Sequence, residues 1–219
     1  RAGGERPRVA IARAVATEPK LLLLDGPMAS LDLARRQDIL PWLERLRDEL
    51  QIPMLYVTHS SDELARLANH LVVLERGRVT AAGPVQDVLA AIDSPVVVGE
   101  DAGALLQGMV IERDAQWHLT HVHFDGGALW LRDSGVALGQ SVRLRVLARD
   151  VSITLEEPRQ TSIQNHLPCT IESIAPAVHA SQLLLRLRCG PSILLARITR
   201  RAQDTLGLYP GREVWAQVK

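Results

Sequence analysis

The rhythm of apolar residues changes near residue 95, and that change restricts the chain to folds built from two unlike parts. Over residues 1–92 helix and strand signals alternate. Residues 4–16 read as a helix, with Pro7 acceptable because it falls in the first turn. Residues 20–25 form a short aliphatic strand that ends in an acid, Asp25. Ile39, Leu43, Leu46 and Leu50 are spaced four, three and four apart, one face of a helix that Pro41 is expected to kink or start afresh. A second buried strand follows at 54–58, then a serine-capped helix at 61–69. Residues 71–75 and 78–82 flank Arg76-Gly77 as a hairpin, and a last helix over 84–92 opens on proline. Strands alternating with helices predict a parallel α/β sheet.

Beyond residue 95 the expectation is all-β. Short strands at 107–113, 117–124, 128–132, 142–147 and 151–156 are separated by Gly, Asp and Ser turns. After Pro158 come strands at 170–175, 182–188, 192–199 and 213–218, with one short helix near 201–206. That spacing predicts a small β-barrel. The domains are therefore 1–94 and 95–219, with a final module over about 158–219. The barrel core has to be aliphatic, since the 219 residues include only 4 Trp, 2 Tyr and 1 Phe.

Charge adds a second constraint. The chain is neutral overall, with 25 basic and 25 acidic side chains, which argues against a general nucleic-acid binder. Neutrality hides an acidic middle, −4 over 99–157, and a basic end, +5 over 158–219. The basic end points to an anionic ligand, or to a solvated face. No apolar run approaches the ~18 residues of a membrane span, and no signal peptide opens the chain. Cys169 and Cys189 form no CxxC pair and supply neither a metal cage nor a disulfide framework, so a reducing, cytosolic setting is expected. The chain starts at Arg1, with its first motif under way by Gly3, and reads as a fragment.

Four elements in order carry chemistry. Gly3-Gly4-Glu5 before a helix exposes backbone N–H groups at the positive end of the helix dipole, a seat for a terminal phosphate. Asp25, ending a buried strand, can hold magnesium through water. Asp32 follows in Ser30-Leu31-Asp32. His59, after the next strand, can hydrogen-bond a phosphate oxygen or an attacking water. In this order the set resembles the second half of an ABC-transporter ATPase domain: Ala2, Gly3, Gly4 and Glu5 match its signature, 21–25 its Walker B strand, 30–32 its D-loop and His59 its switch histidine. The resemblance implies ATP and Mg²⁺ as cofactors and a head-to-tail homodimer. It also implies Asp25 and His59 as catalytic residues, with Ala2, Gly3, Gly4, Glu5 and Asp32 binding nucleotide.

The departures from that family are specific. No GxxxxGK[ST] occurs in the 219 residues, Ala2 stands for the signature serine, and Gly26 occupies the place of the glutamate that is the family's general base.

Residues 160–168, Gln-Thr-Ser-Ile-Gln-Asn-His-Leu-Pro, and 195–201, Leu-Ala-Arg-Ile-Thr-Arg-Arg, resemble the molybdate-binding Mop module of the TOBE group. With Trp117-His118-Leu119-Thr120 they make the whole chain similar to the ATP-binding subunits of molybdate importers. The fold this implies is a partial P-loop NTPase of ABC type followed by an OB-like TOBE/Mop barrel. A tetrahedral dianion such as molybdate or tungstate is best held by fixed donors, and Thr161, Ser162, Asn165, Thr199, Arg200 and Arg201 supply hydroxyl, amide and guanidinium groups. The implied partners are membrane permease subunits and a periplasmic binding protein, at the cytoplasmic face of the membrane. The alternative is an oxyanion sensor or storage module with a decayed ATPase half, which Gly26, Ala2 and the missing phosphate loop favour.

Overall fold

A computed structural model of the chain describes residues 5–29, 31–50, 52–92 and 102–219, giving the backbone alone for 5–8, 33 and 50. The chain divides into two compact units, Arg1–Asn69 and His70–Lys219.

The first unit is α/β, as the alternation predicts. Helix α1 (Glu5–Val15) is followed by strand β1 (Leu22–Asp25), helix α2 (Leu33–Leu50), strand β2 (Met54–Val57) and helix α3 (Ser61–Leu67). The two strands pair in parallel, Leu22 opposite Met54 and Asp25 opposite Val57. Leu22 and Leu24 point inward onto Ile11, Met28, Leu31, Ile39, Leu40, Leu43 and Leu67, one buried aliphatic core. Helix α2 runs on through Pro41 rather than starting afresh, because Pro41 lies on the solvent face while Ile39, Leu40 and Leu43 keep the buried stripe continuous. The alternate residues of both strands are left outside: Leu23 is 64% exposed, Leu55 59% and Val57 53%.

The second unit begins with the hairpin of β3 (His70–Glu75) and β4 (Arg78–Pro84), whose turn residues Arg76 and Gly77 both have positive φ. That turn matches the right-handed strand twist. Helix α4 (Val85–Ala90) follows, with Pro84 at its N-cap. Next come β5 (Gly103–Asp114), β6 (Leu119–Phe124), β7 (Gly127–Arg132), β8 (Ser141–Leu147) and, after a single 3-10 turn, β9 (Val151–Thr154). The chain ends with β10 (Asn165–Pro176), β11 (Gln182–Cys189), β12 (Ser192–Thr199), α5 (Arg200–Leu206) and β13 (Glu213–Val218). These strands are barrel-like: a four-stranded sheet, order β7-β6-β5-β8, and a five-stranded sheet, order β12-β11-β10-β13-β9, enclose one core. Phe124, Leu129 and Val146 of the first sheet share that core with Ile171, Leu185, Leu194 and Ala216 of the second. Glycine is required where the two sheets' turns meet, since a Cβ on Gly126 would overlap the carbonyl oxygen of Cys189.

Three features depart from the pattern read in the sequence. The hairpin and α4, which the alternation groups with 1–94, belong to the second compact unit. Ile92 packs with Ala102, Ala148, Leu184 and Leu195, and the Arg186 guanidinium donates to the carbonyl of Ala90. The module over 158–219 does not complete its own sheet, because β9 supplies the edge strand, pairing Trp215 with Thr154 and Val218 with Val151. Cys169 and Cys189 are joined as a disulfide, one step beyond the Thr170–Arg188 pair of the β10–β11 ladder. Their spacing of twenty residues carries no pairing signal; the antiparallel hairpin brings them together.

A chain cut to begin at His70 is therefore expected to keep the stability of the second unit. One cut to begin near Asp93 removes the buried Val85, Val88 and Leu89 of α4, the half-buried Ile92 and the carbonyl of Ala90, and should lose at least about 2–3 kcal/mol by the usual worth of one buried aliphatic side chain and a charged hydrogen bond. Urea unfolding of the two shortened chains tests this, and equal midpoints would contradict it.

Candidate functional site

The first candidate centre is built by the parallel pairing of β1 and β2. Asp25 ends β1 opposite Val57, and His59 follows two residues past Val57. Both are exposed and leave the sheet at the carboxyl end of the strands, where open α/β sheets place their ligands. Gly26 turns the chain away from β1 with φ 51°, its N–H donating to the carbonyl of Val57 at 2.9 Å. Asp32 caps α2: its Oδ1 accepts from Arg35 N at 2.9 Å, and its Oδ2 lies 3.4 Å from the Arg35 guanidinium. Glu5 opens α1. Ala2, Gly3, Gly4 and Ser30 lie outside the described residues.

Around His59 the structure adds residues that the sequence reading passed over. Glu63 is 4% exposed, and a single oxygen of it, Oε2, accepts from the hydroxyls of Tyr56 at 2.9 Å and Thr58 at 2.6 Å. Thr58 Oγ1 accepts in turn from Ser60 N at 3.0 Å, and Ser60 Oγ, the N-cap of α3, accepts from Glu63 N at 3.4 Å. The sequence did hold a signal here, Ser60-x-x-Glu63, but a capping box would aim Glu63 at the backbone of Ser60. Thr58 takes that N–H instead, which frees the carboxylate for the two hydroxyls.

Burial and then the hydrogen bond and charge of Glu63 hold the Tyr56 hydroxyl protonated well above its ordinary pKa of 10.0, against a smaller opposing effect of Arg36. The sign follows directly. The unfolded chain gives up this proton first as pH rises, so Tyr56 contributes stability that is full below pH 10.0 and is lost as pH climbs beyond it. Tyr56→Phe is expected to flatten this alkaline loss in urea unfolding between about pH 9 and 11. An unchanged slope would contradict the assignment.

The second candidate centre lies in the barrel, and the structure separates its members. Thr161 and Ser162 are exposed in the loop before β10, and Thr161 Oγ1 accepts from Ile163 N at 3.2 Å. Thr199 caps α5, its Oγ1 accepting from Ala202 N at 3.1 Å. Both threonine hydroxyls act as acceptors in these turns, so each keeps its proton to donate elsewhere. Arg200 donates from Nε to the carbonyl of Ala180 at 2.6 Å, and Arg201 is exposed on the first turn of α5. Asn165 differs. Its Oδ1 accepts from Trp130 N at 2.7 Å, and its Nδ2 donates to the carbonyls of Trp130 at 3.0 Å and Val218 at 3.4 Å. That amide ties β7 to the start of β10 and the end of β13 and has no proton left for an anion.

The two groups of donors sit at opposite ends of one sheet. Asn165, next to the Thr161–Ser162 loop, begins β10 beside Val218. Thr199 lies beside Gln182 of β11, where β10 ends at Pro176 opposite Leu183. Eleven residues of strand at ~3.3 Å each put them on the order of 30 Å apart. No single copy of the barrel closes both groups around one small ion.

Among the described residues no three His, Cys, Asp or Glu side chains stand close enough to hold a metal ion. No described helix is long and apolar enough to cross a membrane.

Residues 161–219 match the TOBE domain family. The chain is 55% identical over 217 residues to the molybdenum import ATP-binding protein ModC of Methylococcus capsulatus, and 54% identical to that of Thiobacillus denitrificans. Each alignment covers 99% of this chain, and 61% and 60% of those proteins, so the chain spans about three fifths of the length of the relatives it matches. Among solved structures, the cytoplasmic molybdate-binding protein ModG is similar at 21% identity and a TM-score of 0.45, over 52% of this chain and 89% of its own.

Proposed function

We propose that this chain, similar over 99% of its length to molybdenum import ATP-binding proteins, supplies two working parts of such a protein: one face of an ATP-hydrolysing site and an oxyanion-binding barrel. The nucleotide reading rests on one observation above the rest, the emergence of Asp25 and the His59 loop from the same end of paired parallel strands. In that position Asp25 can hold a water of a Mg²⁺ ion that bridges the phosphates of ATP, and a single exposed carboxylate suits that indirect mode. The ion, when bound, neutralises charge developing on the transferred phosphoryl group. His59 reaches a phosphate oxygen or the attacking water. In the reading of the sequence, Gly3, Gly4 and Glu5 belong to the signature that closes on the phosphates held by a second copy. Permease subunits in the membrane, a periplasmic binding protein and a position on the cytoplasmic face complete the reading.

The 219 residues contain no GxxxxGK[ST], and Gly26 offers no base to the water. This chain by itself is therefore expected neither to bind nor to hydrolyse ATP appreciably. A metal-dependent hydrolysis rate above background, abolished by Asp25→Asn, would overturn that. Within a longer protein that carries the phosphate loop, Gly26→Glu should raise hydrolysis ~10²-fold if the missing base is what limits it. The same change is expected to cost about 1–2 kcal/mol of stability. The nearest atom to a Cβ there, that of Ala29 at 3.6 Å, leaves room, but φ is 51°.

In the barrel, Thr161, Ser162, Thr199, Arg200 and Arg201 are the donors for molybdate or tungstate. Their separation along β10 supports a site shared between two barrels, the 161–162 loop of one facing the 199–201 turn of its partner. A dianion gives up much hydration, and donors from two chains can replace it. Binding should persist in a shortened chain that begins at His70. Ser162→Ala or Thr199→Ala should weaken it by about 1–3 kcal/mol. Calorimetry with molybdate, and phosphate as control, decides: equal heats for the two ions would leave a barrel without this function. A sensor or storage module with an idle ATPase half is the second reading, and Gly26 is the observation that favours it.

A further inference from the structure

His59 lies between two residues that are both fastened to one buried glutamate. On its N-terminal side the Thr58 hydroxyl donates to Glu63 Oε2 at 2.6 Å; on its C-terminal side Ser60 accepts from the Glu63 backbone N–H at 3.4 Å. A further bond, Ser60 N to Thr58 Oγ1 at 3.0 Å, closes the short loop across His59 itself. Tyr56, the last link, donates to the same carboxylate oxygen from β2 at 2.9 Å. The side chain of His59 is exposed, and the bonds on either side of it fix the backbone from which it extends.

We propose that Glu63 is a positioning residue for His59: its carboxylate locks the loop between β2 and α3 so that the imidazole is presented in one orientation at the carboxyl end of the sheet. The inference rests on the nucleotide reading of His59 given above, and it names what holds that group in place.

The chemistry of the clamp explains why a carboxylate is used. Oε2 accepts two hydroxyl protons at once, and hydrogen bonds to a charged acceptor are roughly twice as strong as neutral ones. A neutral acceptor would hold the same hydroxyls more weakly, and an apolar residue would leave both half-buried hydroxyls without this partner. The loop is thereby fixed before any phosphate arrives, which spares the binding step the entropy of ordering it.

The test uses nuclear magnetic resonance on the 219-residue chain, with the His59 ring signals assigned by their loss in His59→Asn. The side-chain couplings of His59 should report a single rotamer in the native chain and rotamer averaging in Glu63→Ala. Glu63→Gln, which keeps an acceptor oxygen, should restore most of the single rotamer. Exchange of the Ser60 amide should quicken about tenfold in Glu63→Ala, measured against the Leu22 amide, which bonds Pro53 and reports the sheet. If Glu63→Ala unfolds the first unit, Thr58→Val carries the rotamer test, since at constant volume it removes the donor to Glu63 and the acceptor of the Ser60 N–H and leaves the carboxylate bonded to Tyr56. An averaged rotamer in the native chain, or a rotamer unmoved by the loss of Glu63 or of the Thr58 hydroxyl, would overturn the proposal. None of these readouts involves ATP. In a longer protein that carries the phosphate loop and hydrolyses ATP, a fixed His59 whose replacement by Asn leaves the rate unchanged would leave the clamp standing and remove the nucleotide reading.

Discussion

The second unit depends on β10, which pairs with β11 along one side and with β13 along the other. Twelve residues long, it forms the middle of the five-stranded sheet, and its inward residues Leu167, Cys169 and Ile171 are buried in the common core. Everything proposed for the barrel follows from that length. A shorter strand would bring the loop at 161–162 near the turn at 199–201 and allow one chain to enclose an anion. A strand of this length holds them apart, which is why the proposed anion site draws on two chains. Asn165 fixes the near end, because its amide reaches across to the backbone of Trp130 and so aligns the two sheets.

The first unit answers to a different constraint. Its two parallel strands turn one face to the helices, and the other face carries the exposed Leu23, Leu55 and Val57. What order the unit has at its functional end comes from polar bonds. Asp32 caps α2, Ser60 caps α3, and Glu63 gathers Tyr56 and Thr58 beneath the loop of His59. Gly26 takes a left-handed backbone conformation that a side chain would strain.

Much of this was legible in the residues. The alternation of strand and helix to residue 92, the run of short strands after it, and the hairpin at Arg76-Gly77 all follow from periodicity and turn chemistry. So does the emergence of Asp25 and the His59 loop at the same end of the sheet, which needs only two parallel strands. Long-range contacts were not legible. Nothing local says that β9 will border β13, that Ile92 will pack on Ala102, or that Cys169 will meet Cys189. Asn165 looked like an anion donor because its sequence neighbours are Thr161 and Ser162; its partner Trp130, thirty-five residues away, takes the amide instead. Glu63 was hidden for the opposite reason, since its spacing from Ser60 suggested an ordinary cap.

The central claim for the barrel is that each oxyanion site takes donors from two chains, and mixing two crippled chains tests it most directly. A chain shortened to begin at His70 and carrying Ser162→Ala is mixed with one carrying Thr199→Ala, and the amount of tightly bound molybdate is measured before and after. In a mixed pair one site inherits both defects, while the other receives the intact 161–162 loop of one chain and the intact 199–201 turn of its partner. Tight sites should therefore appear in the mixture, at up to about a quarter of the native number, although neither variant alone has any. Molybdate binding that stays as weak in the mixture as in the separate variants would contradict the shared site.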